Sequence, residues 1–393
     1  MKKIISLLLC VVMCFMLASC DEDVIGKELG DLKDKYTPEE REEVVLDFYI
    51  IVGEGTQSNA IITTERMINS YLSDKFSTTL DIHYVTAEEY EAEVTTAVNN
   101  TGDDRADIVL VVGKDMFDTL HSNKNLANIT DFFKGSQFGR LNTIINKNLL
   151  SASVVEEDRF TTSGSAYVSH RNYIVPNNHV IGEYKYFLIN KAEAQYYNEC
   201  SEVKIQAMTS FDNEYVKTLI SKMEADGKDY TQFIKEVSGP YEMKAQMEAE
   251  GYYCNVSVYP QATKEEAFSS GFAVVRAEND HTLDSNRDEK LSIEEEAKLD
   301  KTYLDHYERC MEVIYSINSD AYLRNLLQYG VEGTSYSIDE NGVVTPYLEG
   351  TGVYNMDMLH TGDVFGAYFN TIGWTEEAAG NGMKQNEQSV IGE

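Results

Sequence analysis

The residues best suited to chemistry lie in one short acidic segment, residues 284–295. Oxygen-bearing groups recur there at the first, third, fifth, seventh, ninth and twelfth places. Ca²⁺ prefers several hard oxygen ligands that converge from a tight loop, and this spacing supplies them. The segment therefore predicts a calcium site. Its candidate ligands are Asp284, Asn286, Asp288, the carbonyl of Lys290, Ser292 and Glu295.

One position departs from the register of an EF-hand-type calcium loop. Glu289 stands at the sixth place, where glycine usually permits the sharp turn, so we expect a weakened site. The alternative is a solvated acidic loop in which Ser292 caps the N-terminus of the next helix. The sequence leaves both interpretations open. We expect no required cofactor, with Ca²⁺ as the one candidate ion.

Signatures of catalysis are missing from the sequence. It contains no His-Glu-x-x-His zinc motif, no Gly-x-Ser-x-Gly elbow and no Gly-x-x-x-x-Gly-Lys phosphate loop. Gly53 and Gly55 follow an apolar run but lack the third glycine of a dinucleotide loop. The seven histidines are scattered, and carboxylate pairs arise by chance in so acidic a chain. We therefore expect a binding protein and not an enzyme.

The N-terminus predicts the cellular location. Lys2 and Lys3 precede an apolar run at 4–17, which ends in Leu17-Ala18-Ser19-Cys20. Such a short run with small residues before its end is typical of a secretory signal, and an uncleaved membrane anchor is the alternative. The segment resembles a bacterial lipobox, which implies cleavage before Cys20 and attachment of a diacylglycerol to its thiol. We expect a signal peptide at 1–19 and a lipidated linker at 20–43, holding the protein on the extracellular face of the cell membrane.

Composition limits the rest of the chain. About 350 residues follow the linker, more than one core usually holds, so two domains are expected. The net charge of −33 disfavours nucleic acid as a partner. Outside the predicted signal and anchor remain Cys200, Cys254 and Cys310, which allow at most one disulfide and otherwise behave as buried thiols.

The hydrophobic pattern predicts an α/β protein. Apolar runs at 44–52 and 106–112 and an alternating stretch at 80–84 read as strands, with helical spacing between and after them. This β-α-β-α-β-α order predicts a parallel open sheet with helices on both faces. Strand character returns near 173–176, 184–189, 254–260 and 272–275. Helical patterns occur near 192–197, 214–225 and 303–314, followed by a shorter helix that ends at Gly330.

The order of these elements resembles the extracellular solute-binding proteins of ABC importers, a family that includes many sugar binders. The resemblance implies a two-lobed, periplasmic-binding-protein-like α/β fold, each lobe an open sheet flanked by helices and joined by a hinge. It also implies capture of a small solute, a sugar or oligosaccharide, and delivery to the permease subunits of the importer. Sugar binders usually carry several tryptophans, whereas this chain has only Trp374. The stretches that carry the resemblance are Ala106-Asp107-Ile108-Val109, Tyr186-Phe187-Leu188-Ile189-Asn190-Lys191 and Tyr329-Gly330-Val331-Glu332-Gly333.

Domain boundaries follow from this resemblance. We expect a first lobe from 44–165 with about 257–280, and a second from 166–256 with about 300–345. We also expect residues 281–300 to form an acidic insertion and residues 346–393 to close the lobes.

Ligand contacts are expected in the loops that follow the strands, because open α/β sheets bind ligands outside the carboxyl ends of their strands. Each of these residues could instead be a turn or cap residue. The alternative function is a surface lipoprotein scaffold or interaction protein on the same fold without a transport role. The candidates are Glu54, Thr56, Gln57, Asn59, Gly113, Lys114, Asp115, Asn177, Tyr241 and Trp374.

Overall fold

The computed structural model describes residues 41–160, 166–179, 181–197, 211, 213–240, 243–268, 270–280, 302–340, 343–356, 382 and 384–392. The strands are β1 (Val44–Val52), β2 (Thr78–Thr86), β3 (Ile108–Val112), β4 (Val154–Phe160), β5 (Ala166–Asn172), β6 (Val175–Pro176), β7 (Tyr184–Asn190), β8 (Ile234–Gly239), β9 (Tyr252–Val256), β10 (Gln261–Thr263), β11 (Ser270–Val274), β12 (Tyr336–Ile338), β13 (Val344–Pro346) and β14 (Val390–Gly392). The helices are α1 (Ser58–Phe76), α2 (Tyr90–Ala97), α3 (Gly113–Ser122), α4 (Leu141–Ile144), α5 (Lys147–Ser153), α6 (Lys191–Tyr196), α7 (Glu214–Ala225), α8 (Met243–Ala249), α9 (Lys264–Ala267), α10 (Tyr303–Ser319) and α11 (Ala321–Tyr329).

The large sheet has five strands in the order β2-β1-β3-β11-β6. Strands β2, β1 and β3 are parallel, and β11 runs antiparallel to both β3 and β6. The predicted parallel arrangement of the first three strands is confirmed, and the large sheet contains in addition the antiparallel strand β11. The chain leaves the large sheet at the end of β6 and re-enters it at that same end of the strands. Strand β11 therefore has to run in the direction opposite to β6.

The core of the large sheet includes helix α10. Its buried residues Cys310, Met311 and Ile314 belong to one hydrophobic cluster with β1, β3 and β11. The buried Arg309 adds a polar tie, since its Nη1 donates to Phe76 O at 2.9 Å and to Ser77 O at 3.1 Å. These carbonyls end helix α1 and have no partner within the helix. Helix α10 is thus part of the large-sheet module.

The small sheet has three strands in the order β8-β7-β9, all antiparallel. Side chains alternate along β7, so Phe187 and Ile189 lie on one face and Tyr186 and Leu188 on the other. Helix α7 covers the first face with Val216, Leu219 and Met223. Asn213 caps this helix by accepting from Tyr215 N. The small sheet therefore has two hydrophobic clusters of its own, separate from that of the large sheet.

Two segments connect the large and small sheets, residues 177–183 and 257–269. Since β6 belongs to the large sheet, the first connection begins after Pro176. The two segments meet where Glu183 bridges Gln261. Strand β10 on the second segment also pairs with β14 near the C-terminus. We call residues 177–183, 257–269 and 384–392 the crossover.

A search of the described residues finds no helix that combines the length and apolar character needed to cross a membrane. Cys254 and Cys310 are free thiols in the structure. Cys200 and the predicted signal and lipid-anchor residues, including Cys20, lie outside the described residues.

Candidate functional site

The carboxyl ends of the parallel strands meet at one edge of the large sheet. Register aligns Val52 of β1 with Thr86 of β2, and Val112 of β3 with Ser270 of β11. Strand β6 ends at this same edge, because Pro176 pairs with Gly271. The structure thus brings the candidates after β1, β3 and β6 to one edge, which we call the carboxyl edge. Asn59 lies there too, exposed in the first turn of α1.

The loop after β1 is fixed by a distant part of the chain. Thr56 Oγ1 accepts from Asn355 N at 3.0 Å and lies 2.9 Å from Gly53 O, to which it can donate. The backbone N–H of Gln57 donates to Val353 O at 2.9 Å, and that of Gly53 to Asn355 O at 2.9 Å. Thr56 therefore positions the loop, and Glu54 and Asn59 present exposed side chains from it.

The loop after β3 turns directly into helix α3. Gly113 has φ +77°, a backbone angle that L-residues with a side chain rarely adopt. Lys114 forms an ion pair with Asp118 one turn along the helix and lies 5.4 Å from the ring centroid of Phe117. Asp115 is exposed in the first turn, where a carboxylate also suits the positive end of the helix dipole. Asp115 is therefore the side chain of this loop that is freest to meet a solute.

Asn177 lies fully buried at the end of β6. Its backbone N–H donates to Ser270 O at 2.9 Å, and its Nδ2 donates to Ser270 Oγ at 3.1 Å. These contacts join the strand that leaves the large sheet to the strand that re-enters it. The structure thus places Asn177 as a tie within the crossover.

The C-terminal segment holds both connections of the crossover. Buried Asn386 accepts from Ile181 N at 2.7 Å and donates from Nδ2 to His179 O at 2.6 Å. Ser389 Oγ donates to Ile181 O at 2.9 Å. Asn386, Ser389 and Asn355 are not among the candidates predicted from the sequence. Each contacts a partner some 200 or more residues away, so no local pattern could have indicated it.

Several candidates cannot be placed. Tyr241 and Trp374 lie outside the described residues, so their role stays a prediction. The same holds for the whole calcium loop, whose candidate ligands are Asp284, Asn286, Asp288, Lys290, Ser292 and Glu295.

The sequence matches no protein-family model and no curated protein. Among solved structures, the chain is similar to the N-glycan transport solute binding protein NgtS from Streptococcus pneumoniae. The identity is 13%, the TM-score 0.45, and the match covers 88% of this chain and 83% of that chain. It is also similar to an ABC substrate-binding protein from Listeria monocytogenes in complex with cycloalternan, at 11% identity and a TM-score of 0.29, over 72% of this chain and 78% of that chain.

A third similar structure is iron-bound HitA from Pseudomonas aeruginosa. The identity is 10%, the TM-score 0.27, and the match covers 87% of this chain and 98% of that chain. Because these identities and TM-scores are low, the fold is defined by the strand order and register of this chain alone.

Proposed function

We propose that this protein captures a small solute outside the cell and delivers it to an ABC-type importer, with a sugar or oligosaccharide as the solute. The observation that carries the proposal is the crossover. The chain passes twice between two separately packed sheets, and both passes start or end at the carboxyl edge. That edge is where open α/β sheets bind their ligands.

Such an arrangement suits closure around a ligand. The small sheet has its own hydrophobic clusters, so it can rotate as a body when the few connecting residues change their backbone angles. A solute that contacts both modules binds the closed form better and so raises its population. The importer would then recognise the closed form.

The exposed groups at the carboxyl edge fit a neutral, hydroxyl-rich solute. Glu54, Asn59 and Asp115 offer carboxylate and amide groups that bind hydroxyl groups. The net charge of −33 disfavours anionic solutes.

A melting-temperature screen with a panel of sugars, amino acids and peptides tests the proposal, because a ligand that binds only the folded state raises the melting temperature. We expect at least one sugar to raise it, and small-angle scattering to show compaction with that sugar. If no solute shifts the melting temperature, the scaffold alternative replaces solute capture. A shift without compaction contradicts the hinge.

A matched pair of variants locates the site. Asp115→Asn changes an exposed aspartate at the carboxyl edge, after β3. Asp104→Asn changes an exposed aspartate that precedes β3 and lies at the opposite edge. We expect the first variant to weaken sugar binding and the second to leave it unchanged. Equal effects would contradict a site at the carboxyl edge.

The lipid anchor has a separate test. Cys20→Ala removes the thiol that would carry the diacylglycerol, so we expect protein in the medium or an unprocessed precursor. Membrane retention of a cleaved Cys20→Ala protein would contradict the anchor.

A further inference from the structure

Three side chains with metal-binding atoms meet on one face of the large sheet. Asp47 of β1 pairs directly with Asp81 of β2, and His83 lies two residues farther along β2. Side chains two residues apart on a strand share a face, so all three project to the same side. One ligand atom from each lies within 4.8 Å of the others, and Asp47 Oδ1 is 2.7 Å from His83 Nε2.

The surroundings hold the His83 ring and the backbone of Asp47 in place. The His83 ring stacks on Tyr49 at 4.1 Å between centroids, with 7° between the ring planes. The backbone N–H of Asp47 donates to Asp107 Oδ2 at 2.8 Å, which fixes β1 against the start of β3. Supporting contacts of this kind orient the ligands of metal sites. Asp81 is exposed, so it can adjust its position.

The charges favour a cation at this place. Like charges directly opposite each other on neighbouring strands destabilise a sheet. Asp81 on β2 and Asp107 before β3 place two further carboxylates beside the partly buried Asp47. A bound cation shared by Asp47 and Asp81 would relieve this repulsion.

We propose that Asp47, Asp81 and His83 bind a divalent transition-metal ion of the Zn²⁺ type. An imidazole with two carboxylates is a donor set that suits Zn²⁺, at about 2.0–2.2 Å from each ligand atom. The ion takes the place of the proton shared by Asp47 and His83, and the exposed Asp81 closes in from the other strand. Solvent reaches the site beside Asp81 and supplies the remaining ligand.

The proposed metal site lies away from the carboxyl edge of the large sheet. Asp47 precedes the end of β1 by five residues, roughly 16 Å at about 3.3 Å per residue. The metal is therefore separate from the carboxyl edge and from the proposed solute. Because β2 is the edge strand of the sheet, an ion shared by Asp47 and Asp81 fastens that strand to β1.

Calorimetric titration of the full-length protein with Zn²⁺ tests the site. We expect one saturable site, and a loss of affinity of at least roughly 10-fold in His83→Gln and in Asp81→Asn. His170→Gln is the matched control, because exposed His170 lies 3.5 Å from Glu156 on the β4–β5 hairpin and should not matter. Zn²⁺ should also raise the melting temperature of the wild type and not that of His83→Gln.

The variants distinguish a lost ligand from a lost fold. Asp81 is exposed and its carboxylate faces that of Asp47, so Asp81→Asn should keep the wild-type circular dichroism and should not lower the melting temperature without metal. Zn²⁺ binding that is unaltered in both variants would place the ion elsewhere on this acidic chain. The absence of a saturable site in the wild type would overturn the proposal outright.

Discussion

The large and small sheets bury their strands to very different extents. In the large sheet, β3 and β11 are buried along almost their whole length, and their residues share one cluster with helix α10. In the small sheet, the central strand β7 is mostly buried, but every residue of the flanking strand β9 is only partly buried, and the hydrophobic residues divide into clusters on two faces. A module with fewer buried contacts opens more readily. The comparison indicates that the large sheet is the more stable module, which we call the frame, and that the small sheet unfolds locally more readily.

The strongest test of the frame is a cavity at its centre. Phe272 is fully buried in β11 and lies 5.4 Å from the ring centroid of Phe48. Phe272→Ala should lower the free energy of unfolding by about 4 kcal/mol, measured by chemical denaturation. Val45→Ala, at a position 61% exposed in the same sheet, should change it by less than about 0.5 kcal/mol. Similar effects of the two variants would contradict a single tightly packed frame.

A cavity in the small sheet should have a smaller and more local effect. Leu219 of α7 is fully buried, but it packs in a small cluster that can partly collapse. We expect Leu219→Ala to cost about 2.5 kcal/mol. Amide exchange should accelerate in β7, β8 and β9 and stay unchanged in β1 and β3.

Lys222→Ala, on the exposed face of the same helix, is the control for Leu219→Ala. If the exchange of β1 and β3 rises together with that of β7, the two sheets unfold as one unit and the comparison fails.

The boundary between the two modules is tested at Asn386. Asn386→Ala leaves Ile181 N and His179 O without their side-chain partner in a buried place, which should cost about 2 kcal/mol. Amide exchange at residues 177–183 should rise most. Glu387→Ala, at an exposed position next to it, should leave exchange there unchanged. A uniform rise across both sheets would show that Asn386 supports the whole fold and not the crossover.

The smallest effect on the free energy of unfolding is expected at the carboxyl edge. Thr56→Val removes the hydroxyl that accepts from Asn355 N, at a cost of about 1 kcal/mol. Thr56→Ser keeps the hydroxyl and should behave as the wild type. Solute affinity should fall in Thr56→Val because the loop that carries Glu54 and Asn59 loses its support. Unchanged affinity would remove this loop from the proposed site.

Much of the local structure could be predicted from the sequence. The predicted α/β class with sheets flanked by helices is confirmed, and the apolar run at 44–52 is strand β1. Helix α7 spans Glu214–Ala225, as its spacing predicted. Asp320 caps α11 through Tyr322 N, and Gly330 ends it at φ +80°. Residues close in the sequence decide each of these features.

The candidate site could be predicted only in part. The rule that ligands bind at the carboxyl ends of strands predicted that the loops after β1 and β3 lie at one edge of the sheet. It did not predict that Asn177 is buried. The sequence does contain one signal for the cluster of Asp47, Asp81 and His83. Asp47 is a charged residue in the middle of an otherwise apolar strand, which calls for a partner.

The sequence by itself determined the type and approximate place of these strands and helices, because periodicity and capping act over a few residues. Only the tertiary structure decided the direction of β11, the placement of α10 against the large sheet, and the ties of Thr56 to Asn355 and of Asn386 to Ile181. It also brought Asp47 beside Asp81 and His83. Each of these features depends on parts of the chain that lie far apart in the sequence and meet through strand register or core packing. A local pattern of residues indicates neither the register nor the packing.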